Sequence, residues 1–132
     1  MQRHYTMLKE FEQDGFEVIV DKTWEDMDPW DQLSDCFDSK EQLYADIESC
    51  KYDWFMLRVR VMVEGMEIGS SYLGGCLYED AMEVFDDGVV EDLVDEALKE
   101  AKDSVYSLSK KFAALSAMVD NEAYSPYNTV NT

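Results

Sequence analysis

The sequence has few of the residues from which an active site is usually built. Histidine occurs once in 132 residues, so a serine or cysteine nucleophile with a histidine base would have to use His4. Neither a glycine-rich phosphate loop nor a dinucleotide-binding fingerprint is present. Cys76 follows two glycines, but no base stands near it to activate the thiol, and a buried structural cysteine is the better interpretation. We therefore predict a protein that is not an enzyme and needs no cofactor.

Paired cysteines and long apolar runs are also missing. Cys36, Cys50 and Cys76 are odd in number and widely spaced, which favours reduced thiols in a cytosolic protein. The N-terminus lacks the apolar core of a signal peptide. The longest uncharged run, residues 68–78, is about half a membrane span. These absences predict a cytoplasmic protein with no membrane segment.

A metal site is not indicated, although carboxylates are abundant. A calcium-binding EF-hand loop that began at Asp26 would need glycine at its sixth place and glutamate at its twelfth. Asp31 and Phe37 stand there, and a loop that began at Asp28 fails at the same two places. We predict no specific metal ion.

Positive charge is scarce, and this imbalance is the main compositional feature. The chain has 30 acidic and 11 basic residues, a net charge of −19, whereas solubility needs a magnitude of only about 2–8. Residues 21–48 carry ten acids and two bases, and residues 79–103 carry eleven acids and two bases. Such clusters predict a partner of opposite charge. The alternative is a solvated acidic face that binds no partner.

The last third of the chain predicts one long amphipathic helix, from Val89 to Val119. Its apolar residues are spaced alternately three and four apart. They are Val90, Val94, Ala97, Ala101, Val105, Leu108, Phe112, Leu115 and Val119.

Residues 54–73 predict a β-hairpin, because apolar residues alternate on both sides of a turn at Glu64-Gly65. With those two residues as the loop, Val63 faces Met66 and Val61 faces Ile68. Arg58 and Arg60 alternate with the apolar residues of the first strand, where they either bind an anion or pair with nearby carboxylates.

The remaining elements are shorter. Residues 5–13 favour a helix ended by Gly15, with a strand joined through Asp14-Gly15 as the alternative. Residues 16–21 predict a strand and residues 29–33 a short helix. Ser39 and Gln42 have capping-box spacing and open a further helix that reaches about Cys50.

Together these elements predict one α+β domain over residues 1–120. Its antiparallel sheet of about three strands, with the 54–73 hairpin at its centre, would be packed by helices that include the long C-terminal one. Residues 121–132 are polar and lack periodicity, so we predict a flexible tail.

The acids of the long helix are spaced like phosphates. From Glu91 to Asp103 six carboxylates lie along about 19 Å of helix, or one per about 3.2 Å, against about 3.4 Å per phosphate in one DNA strand. Trp24 and Trp30 stand among the acids of the other cluster, either as anchors for a partner or as cover for the sheet. The predicted partner-binding residues are Trp24, Glu25, Asp26, Asp28, Trp30, Asp31, Asp35, Asp38, Asp86, Asp87, Glu91, Asp92, Asp95, Glu96 and Glu100.

In size, charge and acidic helices the chain resembles the small proteins with which phages and other mobile elements block CRISPR or restriction nucleases. The resemblance is compositional and covers no sequence motif. It implies a non-enzymatic inhibitor in the cytoplasm of a bacterial host. Such a protein binds the basic nucleic-acid groove of a nuclease, as a DNA or RNA mimic or as a steric blocker, and does not itself bind nucleic acid.

The long helix also supports a different hypothesis. The spacing of its apolar stripe is close to a heptad repeat, which is typical of coiled coils. The alternative function is therefore an adaptor or oligomeric protein, including a homodimer, in which the apolar stripe and not the acidic face makes the contact.

Overall fold

The computed structural model describes residues 3–121 as a four-stranded antiparallel sheet with three α-helices, an α+β fold. The strands lie side by side in chain order. They are β1 (Thr6–Gln13), β2 (Phe16–Trp24), β3 (Asp53–Val63) and β4 (Met66–Tyr78). The helices are α1 (Pro29–Leu33), α2 (Lys40–Glu48) and α3 (Val89–Asn121), and a 3₁₀ helix (Ala81–Phe85) precedes α3.

The first element is a strand, so the preferred prediction of a helix over residues 5–13 is wrong. Asp14 and Gly15 have φ angles of 56° and 87°, the two positive values of the tight turn that joins twisted antiparallel strands. Gln13 lies directly opposite Phe16 across this turn. The sheet therefore has four strands, one more than the approximate number expected.

The predicted hairpin is confirmed, but its register changes within the pair. Val63 lies opposite Met66, as predicted, and a shift between Val61 and Met62 then places Val61 opposite Gly69 instead of Ile68. A β-bulge of this kind inserts one residue into a strand and moves the side chains that follow to the other face, here as far as a second shift between Phe55 and Leu57. It turns Gly69 towards α3.

The two short helices begin where local capping predicts. The Asp28 side chain accepts a hydrogen bond from the Trp30 amide, and Pro29 occupies the first turn of α1. Ser39 accepts from the Gln42 amide at the start of α2. Leu43 is the fully buried residue of α2.

The core lies between one face of the sheet and the first half of α3. Alternate residues of the two central strands are completely buried there, because strand side chains point to opposite faces in turn. From the sheet the core takes Val18, Val20, Phe55, Leu57, Val59, Val61 and Cys76, and from α3 it takes Val90, Leu93, Val94, Ala97, Leu98 and Ala101.

The chain divides into two compact units, residues 1–101 and residues 102–132. The first contains the sheet and its core. In the second, α3 continues to Asn121, and its apolar residues from Val105 onwards are exposed. One domain over 1–120 remains a prediction, and residues 122–132 of the predicted tail lie outside the part of the chain that the structure describes.

Candidate acidic interface

The outer side of α3 in the first unit carries exposed carboxylates, while its inner side is buried. The inner residues at positions 90, 93, 94, 97 and 98 pack in the core, so the residues between them point outward. Together with the acids that precede the helix they form the helix acidic face, whose members are all exposed: Asp86, Asp87, Glu91, Asp92, Asp95, Glu96 and Glu100.

Two contacts fix the position of α3 on the sheet. A β-carbon on Gly69 would lie 2.3 Å from the carbonyl oxygen of Ala97, so the helix backbone rests on the strand where no side chain intervenes. On the same strand, the Ser71 hydroxyl donates a hydrogen bond of 2.6 Å to the Leu93 carbonyl. The carboxylates are thus carried by a helix that is held at its buried side.

Acids also suit the beginning of this helix. Asp87 accepts a hydrogen bond of 3.2 Å from the Val89 amide, and Glu91 and Asp92 lie in the first turn, where the helix dipole favours negative charge. Asp87 also accepts a hydrogen bond from the hydroxyl of Tyr78. Burial, followed by this carboxylate, raises the pKa of the Tyr78 hydroxyl well above its usual value. Part of the acidity therefore stabilises the helix start.

In the second predicted cluster, residues 21–48, the predicted partner-binding residues lie between Trp24 and Asp38, which we call the acidic loop segment. Asp31, Asp35 and Asp38 are exposed at its surface. Glu25 is half-buried, and its side chain accepts a hydrogen bond of 2.6 Å from the Gly75 amide of β4. That contact fastens the segment to the sheet.

Asp26 and Asp28 are exposed but have partners within the chain. Asp26 pairs with Arg3 and accepts a hydrogen bond of 2.8 Å from the Trp24 indole. The Tyr44 hydroxyl donates to Asp28, and this bond, followed by the one from the Trp30 amide, lowers the pKa of the Asp28 carboxyl. Both side chains thus stabilise the conformation of the loop and also contribute negative charge to it.

The two candidate tryptophans differ in exposure. Trp24 is 42% exposed, and the Arg3 guanidinium lies 5.0 Å from the centre of its ring. Trp30 is half-buried in α1. Trp24 is therefore the more accessible of the two as a contact for a partner.

The structure brings the acids of the helix acidic face together between Asp86 and Glu100, and it fastens the acidic loop segment by contacts of its own. Two hydrogen bonds connect the loop to the sheet, one from the Gly75 amide to Glu25 and one from the Trp54 indole to the Met27 carbonyl at 2.9 Å. A third, from the Tyr44 hydroxyl to Asp28, connects it to α2.

The opposite face of the sheet holds an ionic cluster that sequence reasoning found only in part. The Arg58 guanidinium donates two hydrogen bonds to Asp21, at 2.8 and 2.6 Å, and Arg60 donates a third at 3.3 Å. The Arg58 guanidinium carbon also lies 3.4 Å from the centre of the Tyr5 ring. Burial acts to lower the pKa of Arg58, and the bonds and charge of Asp21 outweigh it and raise that pKa.

These contacts confirm that the two arginines pair with a carboxylate. Asp21 as their partner was missed because its pairing depends on the register between β2 and β3, where Asp21 lies opposite Arg58. One signal in the sequence could have identified Asp21. It is a charged residue next to the alternating apolar residues of a strand, and such a strand contributes to a buried face.

Thiols and metal ligands offer little chemistry. Cys76 is buried, as predicted, and burial raises the pKa of its thiol to about 11, whereas Cys36 and Cys50 are exposed and free. Within residues 3–121, no group of three or more histidine, cysteine, aspartate or glutamate side chains is placed to hold a metal ion.

No helix in the described part of the chain combines the length and apolar character needed to cross a membrane. Comparison with protein-family models, with curated proteins and with solved structures finds no match to this chain. Its site is therefore interpreted from its own residues.

Proposed function

We propose that the protein is a non-enzymatic inhibitor that binds the basic nucleic-acid-binding surface of a defence nuclease through its helix acidic face. The target class is a CRISPR effector or a restriction enzyme. The inhibitor occupies the surface that the nuclease uses for DNA or RNA, either by resembling the phosphate backbone or by blocking access. The cytoplasm of a bacterial cell is where such a target is met.

The observation that supports this function is the density of exposed charge on a helix with a fixed position. The five acids from Glu91 to Glu100 lie along about 15 Å of helix, or one carboxylate per about 3 Å, similar to the spacing of phosphates along one DNA strand. Lys99 is an exposed base in the same stretch. Because the inner side of this helix is already packed, little ordering entropy is lost when a partner binds.

The sign of the charge defines the partner. A surface of lysine and arginine that binds phosphates would be attracted to these carboxylates, whereas a nucleic acid would be repelled by them. In the acidic loop segment, Trp24 offers an exposed aromatic contact of the kind that is enriched in interface hot spots. A basic protein is therefore the proposed partner, and direct nucleic-acid binding is not proposed.

The test is a DNA-cleavage assay with a panel of purified restriction nucleases and CRISPR effectors, with and without the protein. We expect inhibition of at least one of them. The variant Glu91→Lys/Asp92→Lys/Asp95→Lys/Glu96→Lys should abolish it. Because lysines in the first turn oppose the helix dipole, Glu91→Gln/Asp92→Asn/Asp95→Asn/Glu96→Gln is tested as well, and circular dichroism checks that both variants are folded.

The matched control changes the net charge equally at other exposed positions. It carries lysine in place of Glu10, Glu12, Glu64 and Glu67, which are exposed and lie outside both acidic clusters. Full inhibition by this control, with none by the folded helix variants, would support the proposal. Unchanged inhibition by the helix variants would refute it, and so would equal loss in the control, since net charge alone would then be responsible.

A further inference from the structure

The second unit of the chain exposes a regular apolar stripe on α3. Its residues recur three and four positions apart, an average of 3.5 residues, which is the repeat that keeps one side of a helix facing a partner helix. Each is between 41% and 62% exposed. The stripe consists of Val105, Leu108, Phe112, Leu115 and Val119.

The net charge of the chain is confined to the residues that precede the stripe. Residues 1–101 contain 27 acids and 8 bases and so carry the whole net charge of −19, whereas residues 102–132 contain three of each and are neutral. Two copies of the chain therefore repel one another except along the second unit. Three helix positions beside the stripe are small, Ser104, Ser109 and Ser116, and leave room for a second helix, whereas Lys111 and Met118, which also lie beside the stripe, are long.

We propose that two copies of this protein associate through the apolar stripe of α3 to form a homodimer. The stripe can pack against an identical stripe because the heptad spacing is self-complementary. A second copy is the occupant that the charge favours, since the neutral half of the helix lets two otherwise strongly acidic chains come together. The inference is independent of the helix acidic face and of its partner.

The helices of the dimer are expected to be antiparallel. In a parallel pair residue 101, where the acidic part of each chain ends, would lie at the same end of both helices. In an antiparallel pair the two acidic parts lie at opposite ends, and their repulsion is smaller because charge interactions fall with distance and are screened by salt. Val105 of one copy then lies beside Val119 of the other copy.

The proposed contact between the two helices is short. From Val105 to Val119 the stripe is about 21 Å long, or two heptads, so the dimer belongs to the class of small interfaces below about 1,200 Å². Association should therefore depend on protein concentration. It should also strengthen as salt is raised, because salt screens the repulsion between the acidic parts and leaves the apolar contact intact.

Sedimentation equilibrium of the whole protein measures this directly, from about 10 µM to about 500 µM and at about 0.05 M and 0.5 M NaCl. The mass of one chain is 15.3 kDa, and we expect the observed mass to rise towards twice that value, more steeply at high salt. The variant Phe112→Gln/Leu115→Gln should remain a monomer. The control Tyr106→Gln/Met66→Gln removes two exposed apolar side chains outside the stripe and should dimerise like the wild type.

A wild-type protein that stays monomeric throughout this range would overturn the proposal. Equal association of the stripe variant and the control would do the same, because the contact would then lie elsewhere. Neither result bears on inhibition of a nuclease, which should be weakened by salt. The salt response therefore separates a failure of the dimer from a failure of the proposed function.

Disulfide trapping tests the orientation, with Cys36 and Cys50 replaced by serine so that the exposed native thiols cannot react. A mixture of Val105→Cys protein and Val119→Cys protein should form a crosslinked pair on oxidation, which supports the antiparallel arrangement. Efficient crosslinking of each variant with itself, and not in the mixture, would show a parallel pair and contradict it.

Discussion

Gly69 of β4 and Ala97 of α3 touch through their backbones, so closely that a β-carbon on the glycine would lie 2.3 Å from the Ala97 carbonyl oxygen. This contact presses the inner side of the helix onto the sheet and leaves Asp95 and Glu96 on the outer side. A position that lacks a side chain thus helps to set the direction in which the charge is presented.

Replacement of Gly69 by alanine should destabilise the protein by about 3 kcal/mol, because the obstructing atoms belong to the helix backbone and cannot turn aside as a side chain would. Chemical denaturation measures the change. Ser70→Ala, at the next position along the strand, should change the free energy of unfolding by less than about 1 kcal/mol. Similar values for the two variants would show that the helix does not rest on Gly69.

Asp21 should be far more important for stability than other paired carboxylates. Its side chain is 4% exposed and balances Arg58 and Arg60, so Asp21→Asn leaves two guanidinium groups without a counter-charge and should cost about 3–5 kcal/mol. Asp53→Asn breaks the more exposed pair with Lys22 and should cost about 1 kcal/mol or less. Equal losses in thermal or chemical denaturation would contradict the role of burial.

The Asp28–Tyr44 contact should appear as a pH effect. The tyrosine hydroxyl lowers the pKa of the Asp28 carboxyl below its usual value of 3.8. A carboxyl whose pKa is lowered on folding stabilises the fold above the unfolded value, and this contribution is lost as pH falls through the folded value. In Tyr44→Phe the pKa of Asp28 should move up towards 3.8, as measured by NMR titration of the carboxyl carbon. Tyr52→Phe should leave it in place, and an unmoved pKa in both variants would exclude the contact.

The three thiols should divide into two classes of reactivity. Cys36 and Cys50 are exposed, whereas Cys76 is buried with a pKa of about 11, so little reactive thiolate is present near neutral pH. A thiol reagent at about pH 8 should label two cysteines quickly and the third only on unfolding. The Cys36→Ser/Cys50→Ser variant should show no fast phase. A fast phase in that variant would mean that Cys76 is accessible.

Local signals in the sequence were sufficient for much of the fold. Asp28-Pro29 and Ser39 mark the starts of α1 and α2 because capping depends on residues within one helical turn. The hairpin turn at Glu64-Gly65 and the long helix follow from short-range periodicity in the same way. An amphipathic helix also predicts that its acids lie away from its apolar residues, and the five acids from Glu91 to Glu100 are exposed.

Features that depend on distant parts of the chain were not predictable. The apolar residues of β1 are spaced as they would be in a helix, and the segment is a strand because it pairs with β2. The bulge that turns Gly69 inward reflects the approach of α3, which lies far along the chain. Periodicity also gave no sign that the apolar residues of α3 are buried up to and including Ala101 and exposed from Val105, because both halves have the same pattern.

The helix acidic face is proposed to occupy the surface where a nuclease binds nucleic acid. The most direct measurement is displacement of a fluorescent DNA duplex from the inhibited nuclease, with cleavage prevented by omission of its metal ion. The wild-type protein should displace the DNA, and Glu91→Gln/Asp92→Asn/Asp95→Asn/Glu96→Gln should need at least about tenfold more protein to do so. DNA that stays bound beside the wild-type protein, or equal displacement by that variant, would contradict the account.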